Sequence, residues 1–124
     1  MFLPVCRAWL LLIRINAKLS RRGFAALYDY VRAVPLRDLP ERSVSPEAIC
    51  RAVDLASIWY WKQIPCLQRS AAATCLLRQS RVPAELLIGA QSLPFRAHAW
   101  VEVNGRVVND KSYIAELYAV VDRC

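Results

Sequence analysis

The stretch PFRAHAWVEVNGRVVND, Pro94 to Asp110, decides the fold. From Ala97 to Val103 small and apolar residues alternate with His98, Trp100 and Glu102, so Ala97, Ala99, Val101 and Val103 share one face of a strand. That face packs inward, and the other is functional or exposed. Asn104-Gly105 is a hairpin signal, and Arg106 to Asp110 reads as the returning strand. Upstream, Glu85 to Gly89 is a further strand after Pro83. Everything before Pro83 has a helical period. Helices first and antiparallel strands second is an α+β arrangement.

Working outward, Cys66 to Ser80 is rich in good helix formers between Pro65 and Pro83. Its middle, Ala71 to Ala73, is small on several faces and allows close approach of a sheet, so this is the expected central helix. Ser45 and Pro46 suit the N-cap and first helical position of another helix, reaching the aromatic cluster Trp59-Tyr60-Trp61. Residues 35 to 46 read as a surface connection from their prolines and charges. Before them, Val5 to Leu19 is amphipathic through Val5, Trp9, Leu12 and Ile13. Gly23 breaks it, and Phe24, Leu27, Tyr28, Val31 and Val34 form the stripe of a second short helix. The expected organisation is a single domain over 1–124, with 1–45 a helical N-terminal extension packed on it.

A chain of 124 residues, 56% hydrophobic, suits one compact domain. The formal charge of +7 invites a nucleic-acid reading. The arginines, however, are scattered from Arg7 to Arg123 and form no basic arm, as solvated helix faces would. No nucleic-acid partner is expected. The five cysteines, Cys6, Cys50, Cys66, Cys75 and Cys124, form no C-x-x-C pair or disulfide framework, which suits a reducing compartment. With one histidine there is no metal-ligand pattern, and neither metal nor cofactor is expected. Arg7 and Arg14 leave only Ala8 to Ile13 between them. That run is too short to span a bilayer, and no cleavage site follows it. The expectation is a cytoplasmic protein without membrane insertion.

Cys66 lies at a helix start, where unpaired amides and the positive end of the helix dipole favour a thiolate. Taken alone, a cysteine there is more often a small buried residue. Cys75, half a turn out of phase, reads as core. Any Cys-His chemistry must use His98, although a strand histidine is more often a structural hydrogen-bond partner. Whether Asp110 can orient it depends on the turn. A two-residue Asn104-Gly105 loop pairs Val103 with Arg106 and sets Asp110 opposite Ala99, on the wrong face. A three-residue loop with a glycine bulge pairs Glu102 with Arg106, Trp100 with Val108, and His98 with Asp110. Because it matches opposite charges and sets a carboxylate beside the imidazole, the bulged turn is the expected one.

Together, P-C-L-x-R-S at Pro65 to Ser70 and the Pro94 to Asp110 block resemble the transglutaminase-like, papain-like cysteine proteases that mature lasso peptides. The resemblance covers about the C-terminal two-thirds of the chain. It implies Cys66 as nucleophile, His98 as general base and acid, and Asp110 as the residue orienting the histidine. It further implies leader removal from a precursor peptide, so that a partner ATP-dependent cyclase can use the freed amine. Some members carry a leader-recognition domain ahead of the protease. The short upstream segment here reads as helices, so a separate recognition protein is expected. One oxyanion donor is the expected backbone amide of Cys66. The second is unassigned, with the Trp59 and Trp61 indoles nearby in sequence. Arg96 and Trp100 are candidates for leader contact, though surface packing explains them equally. A transglutaminase-like acyltransferase and a non-catalytic peptide-binding module are the alternatives.

Overall fold

A computed structural model describes residues 2–35, 45–60, 65–92 and 95–124, with side chains from Val5 onward. The connection expected over most of 35–46, and the positions of Trp61 and Pro94, lie outside the described residues.

The helical span α1 (Phe2–Ala33) is two helices joined at a kink, at the break expected at Gly23. Only Gly23 leaves helical geometry, at φ 84°, a backbone setting that suits glycine. Helix α2 (Pro46–Ile58) is capped as the sequence indicates, with the Ala48 amide donating to Ser45 Oγ at 3.4 Å and Pro46 in the first turn. It runs to the aromatic cluster as expected, ending at Ile58 with Trp59 as its C-cap. Helix α3 (Cys66–Gln79) is the central helix: Ala71, Ala72, Ala73 and Cys75 are buried. Small side chains there let α3 lie close to the sheet while α1 and α2 pack on its other sides.

The sheet contains β1 (Ala84–Ser92), β2 (Phe95–Val103), β3 (Arg106–Val107) and, after the one-turn helix α4 (Ile114–Leu117), β4 (Ala119–Arg123). Its order is β3-β2-β1-β4, and every pairing is antiparallel. The fold is thus α+β, helices on a small antiparallel sheet. Leu86, Ala99, Val101 and Val103 face the helices and join Leu12, Ile15, Leu27, Val31 and Val53 in the main core.

The opposite sheet face is not open, contrary to expectation for the His98, Trp100 and Glu102 side. Trp100 is fully buried with Leu87 and Ile114, flanked by Tyr118, and its indole donates to Glu102 Oε2 at 3.1 Å. The segment after Asp110, which carries no long apolar pattern, folds under the sheet and covers it. Trp100 is therefore core rather than a leader contact.

The turn also differs. Val103 pairs with Arg106 and Glu102 with Val107, across a two-residue turn with Asn104 at φ 52° and Gly105 at φ 80°. Asn-Gly suits this mirror-image turn, whose twist matches that of the strands. The charge match expected between Arg106 and Glu102 is not made. Arg106 reaches Glu47 instead, at 3.1 Å.

Candidate active site

Cys66 is the first residue of α3 and is partly exposed. Pro65 precedes it in extended geometry and supplies no side-chain cap. The first amides of α3 therefore lack a capping side chain, and Cys66 stands at the positive end of the helix dipole.

His98 and Asp110 come together although the expected register fails. Nε2 of His98 lies 2.6 Å from Asp110 Oδ2, with both side chains about three-quarters buried. The cause is the early end of β3. The Val108 amide still donates to the Val101 carbonyl at 3.0 Å. The Val101 amide then donates to the Asn109 side-chain Oδ1 at 2.8 Å, where a ladder would offer a backbone carbonyl. The Asn109 amide group donates in turn to Ser70 Oγ at 2.9 Å, and Ser70 donates to the Ala99 carbonyl at 3.1 Å. A side chain thus closes the ladder, and the backbone is free to turn Asp110 toward His98. The Lys111 amide donates to Asp110 Oδ1 at 2.7 Å and holds the carboxylate's other oxygen.

The imidazole is also held by rings. Tyr118 stacks on it at 5.3 Å and Trp100 at 6.1 Å, each at 24° between planes. A carboxylate accepts, so the bond to Asp110 keeps the proton on Nε2 and the lone pair on Nδ1. Nδ1 is then the nitrogen free to take a proton from a nucleophile.

Cys66 and Asp110 line one small cleft, about 20 Å³, with Ser70, Ala99 and Asn109. That is room for about one water, so a substrate would lie across its mouth. Among the described residues no hydrogen bond joins Cys66 to His98; Asp110 is the group the two share. Cys50, Asp54 and Arg69 form the far wall. Burial pushes the Cys50 thiol up to about 12, with Asp54 and Glu47 adding to the effect. Cys50 is thus a protonated wall of the cleft, not a competing nucleophile. Burial also raises the Asp54 carboxyl, and Arg69 beside it acts the other way.

A family model of the transglutaminase-like superfamily matches residues 9–122. The chain belongs to that superfamily. Its members include cysteine peptidases and acyltransferases, and both chemistries use an activated cysteine. The microcin J25-processing protein McjB of Escherichia coli is similar to this transglutaminase-like chain, 38% identical over 56 residues. The match covers 45% of this chain and 27% of that relative's length. No solved structure matches.

Sequence reading missed Ser70, Asn109 and Tyr118. Ser70 had a signal, being four residues from Cys66 and so on the same helix face. Asn109 had one as well, since a strand-end Asn can replace backbone hydrogen bonds with its own side chain. Tyr118 had none, because α4 and β4 carry no amphipathic run. Among the described residues no group of side chains has metal-site geometry, and no helix is long and apolar enough to cross a membrane.

Proposed function

We propose that this transglutaminase-like chain is a cysteine peptidase with the triad Cys66, His98 and Asp110, and that it removes the leader from a lasso-peptide precursor. The observation that carries the chemistry is the 2.6 Å contact of His98 Nε2 with Asp110, a residue that lines the same cleft as Cys66. Support for the substrate is the similarity to the microcin J25-processing protein over 56 residues.

His98 Nδ1 takes the Cys66 thiol proton, and the thiolate attacks the scissile carbonyl. The oxyanion is held by the Cys66 amide at the start of α3. His98 returns the proton to the leaving amine as the C–N bond breaks, which leaves a thioester on Cys66. A water then loses a proton to His98 and attacks. The C–S bond breaks, the proton on His98 goes back to sulfur, and the leader departs as a carboxyl group that releases its own proton to solvent. Asp110 fixes the tautomer throughout and stabilises the imidazolium. The freed amine suits a partner ATP-dependent cyclase, a separate leader-recognition protein delivers the precursor, and the work takes place in the cytoplasm.

Mass spectrometry of a precursor peptide incubated with this chain and a leader-recognition partner tests the reading. Wild type is expected to yield a leader with a free carboxylate terminus, and Cys66→Ala to yield none. Unchanged cleavage by Cys66→Ala would sink the proposal. Amide adducts formed with an added amine would instead point to acyl transfer.

A further inference from the structure

Strand β3 covers little of its neighbour. It pairs with β2 only at Glu102 and Val103, with one more bond at Val101, where Asn109 ends the ladder. Strand groups alternate in direction, so the residues whose N–H and C=O face β3 are Val103, Val101, Ala99, Ala97 and Phe95. The bonds at Val101 establish this phase, and β2 pairs with β1 without a bulge from Val103 to Phe95. Beyond Val101 the Ala99 carbonyl is taken by Ser70. Among the described residues no strand pairs with the outward groups of Ala97 and Phe95, and Phe95, Arg96 and Ala97 are all exposed. Unpaired strand edges recruit other strands. The edge runs directly into the cleft of Cys66, Ala99 and Asp110. The pairing of the other edge strand, β4, with β1 is broken by a register shift between Ile88 and Gly89.

We infer that an extended segment of the peptide substrate adds to the sheet along β2 at Phe95–Ala97, and is thereby fed across Cys66. The inference rests on the peptidase reading of the same cleft, and its occupant follows from continuity with that cleft. Ala97 supplies both a donor and an acceptor to the incoming backbone, and Phe95, 76% exposed, offers apolar surface for a substrate side chain. Recognition through main-chain bonds places little demand on substrate sequence along this stretch.

Two reagents separate docking from thiol chemistry. Iodoacetamide has no peptide backbone, whereas a blocked tripeptide chloromethyl ketone can pair with the edge before alkylating Cys66. Ala97→Pro removes an outward N–H that takes no part in the β1–β2 ladder, a place where a sheet tolerates proline. We expect it to slow the peptidyl reagent at Cys66 by about tenfold, the worth of one or two backbone hydrogen bonds, with iodoacetamide as the control. An N-methylated reagent should lose the same advantage on the wild-type protein, which keeps the test open if the proline variant misfolds. In wild type carrying the peptidyl group, amide exchange should slow at Ala97 and not at Arg96 or His98, whose amides already face β1. An undiminished peptidyl preference, or an unchanged Ala97 amide, overturns the inference. So does slowing of that amide with protein concentration alone, which would assign the edge to a second copy. If iodoacetamide finds Cys66 no more reactive than the exposed Cys6, the nucleophile reading fails instead.

Discussion

His98 Nε2 and Asp110 Oδ2 lie 2.6 Å apart, yet the strand expected to carry Asp110 ends at Val107. The contact is made by a chain leaving the sheet, so the carboxylate reaches around the edge rather than across a rung. Asp110→Asn keeps the size and the acceptor oxygen but removes the charge that stabilises an imidazolium and permits the wrong tautomer. In the proposed peptidase, kcat is expected to fall by about 10²–10⁴, with little change in melting temperature. Loss of fold together with activity, by circular dichroism, would reassign Asp110 to structure.

Asn109 is what allows that departure. Its carbonyl satisfies the Val101 amide and its amide group grips Ser70 on α3. Asn109→Ala leaves the part-buried Val101 N–H without its partner, a cost of about 1–3 kcal/mol. Asn109→Asp keeps an acceptor for Val101 and loses only the donor to Ser70, so denaturant titration should find it the milder change. In both variants ¹⁵N shifts of the single imidazole should show a mixed tautomer in place of the Nε2–H form, as Asp110 loses its placement.

Gly89 sits opposite His98 in the β1–β2 register. A Cβ there would lie 2.7 Å from the Trp100 ring and 2.8 Å from the Tyr118 Cβ. Both neighbours are large, and Trp100 is fully enclosed. Gly89→Ala must therefore push the indole or the tyrosine away, and should lower stability by about 1–3 kcal/mol. Because both rings stack on His98, the variant should lose cleavage beyond what its unfolded fraction accounts for. A variant with wild-type stability would show that the ring stack is looser than its geometry.

The helical half of the fold was legible because caps and small residues act locally. Ser45-Pro46 starts α2, and Ala71–Ala73 lets α3 approach the sheet. The hairpin was misjudged by weighing a possible Glu102–Arg106 charge match above the backbone preference of Asn104-Gly105. Glu102 is instead buried and accepts from the Trp100 indole, and the turn won. Trp100 was misplaced because its cover, Ile114 and Tyr118, comes from a segment whose burial depends on tertiary contact alone. Cys66 and His98 were candidates by residue type alone, whereas the route of Asp110 to His98 depends on Asn109 bonding across to a helix 39 residues away in sequence.

The buried thiols give the stability a pH dependence. Burial pushes Cys50 and Cys75 each up to about 12 from an ordinary value of 9.0, and Tyr28 is raised from 10.0 for the same first reason. Unfolded, these groups ionise as pH passes 9 to 10, whereas in the folded chain they stay protonated. The unfolded state then holds fewer protons, so stability declines with rising pH through this window. Below about pH 8 both states are protonated and the effect vanishes. Melting temperature should accordingly be flat from these groups near pH 7 and fall progressively between about pH 9 and 12. Cys75→Ala, a small change at a fully buried site, should shallow that fall while leaving a constant packing cost at every pH. Site-resolved alkylation supplies the companion measurement. At pH 8 the native chain should label at Cys6 and Cys66 and be protected at Cys50 and Cys75, with protection lost on unfolding. Equal labelling of Cys50 and Cys66 in the native state would mean that the far wall of the cleft is open to solvent.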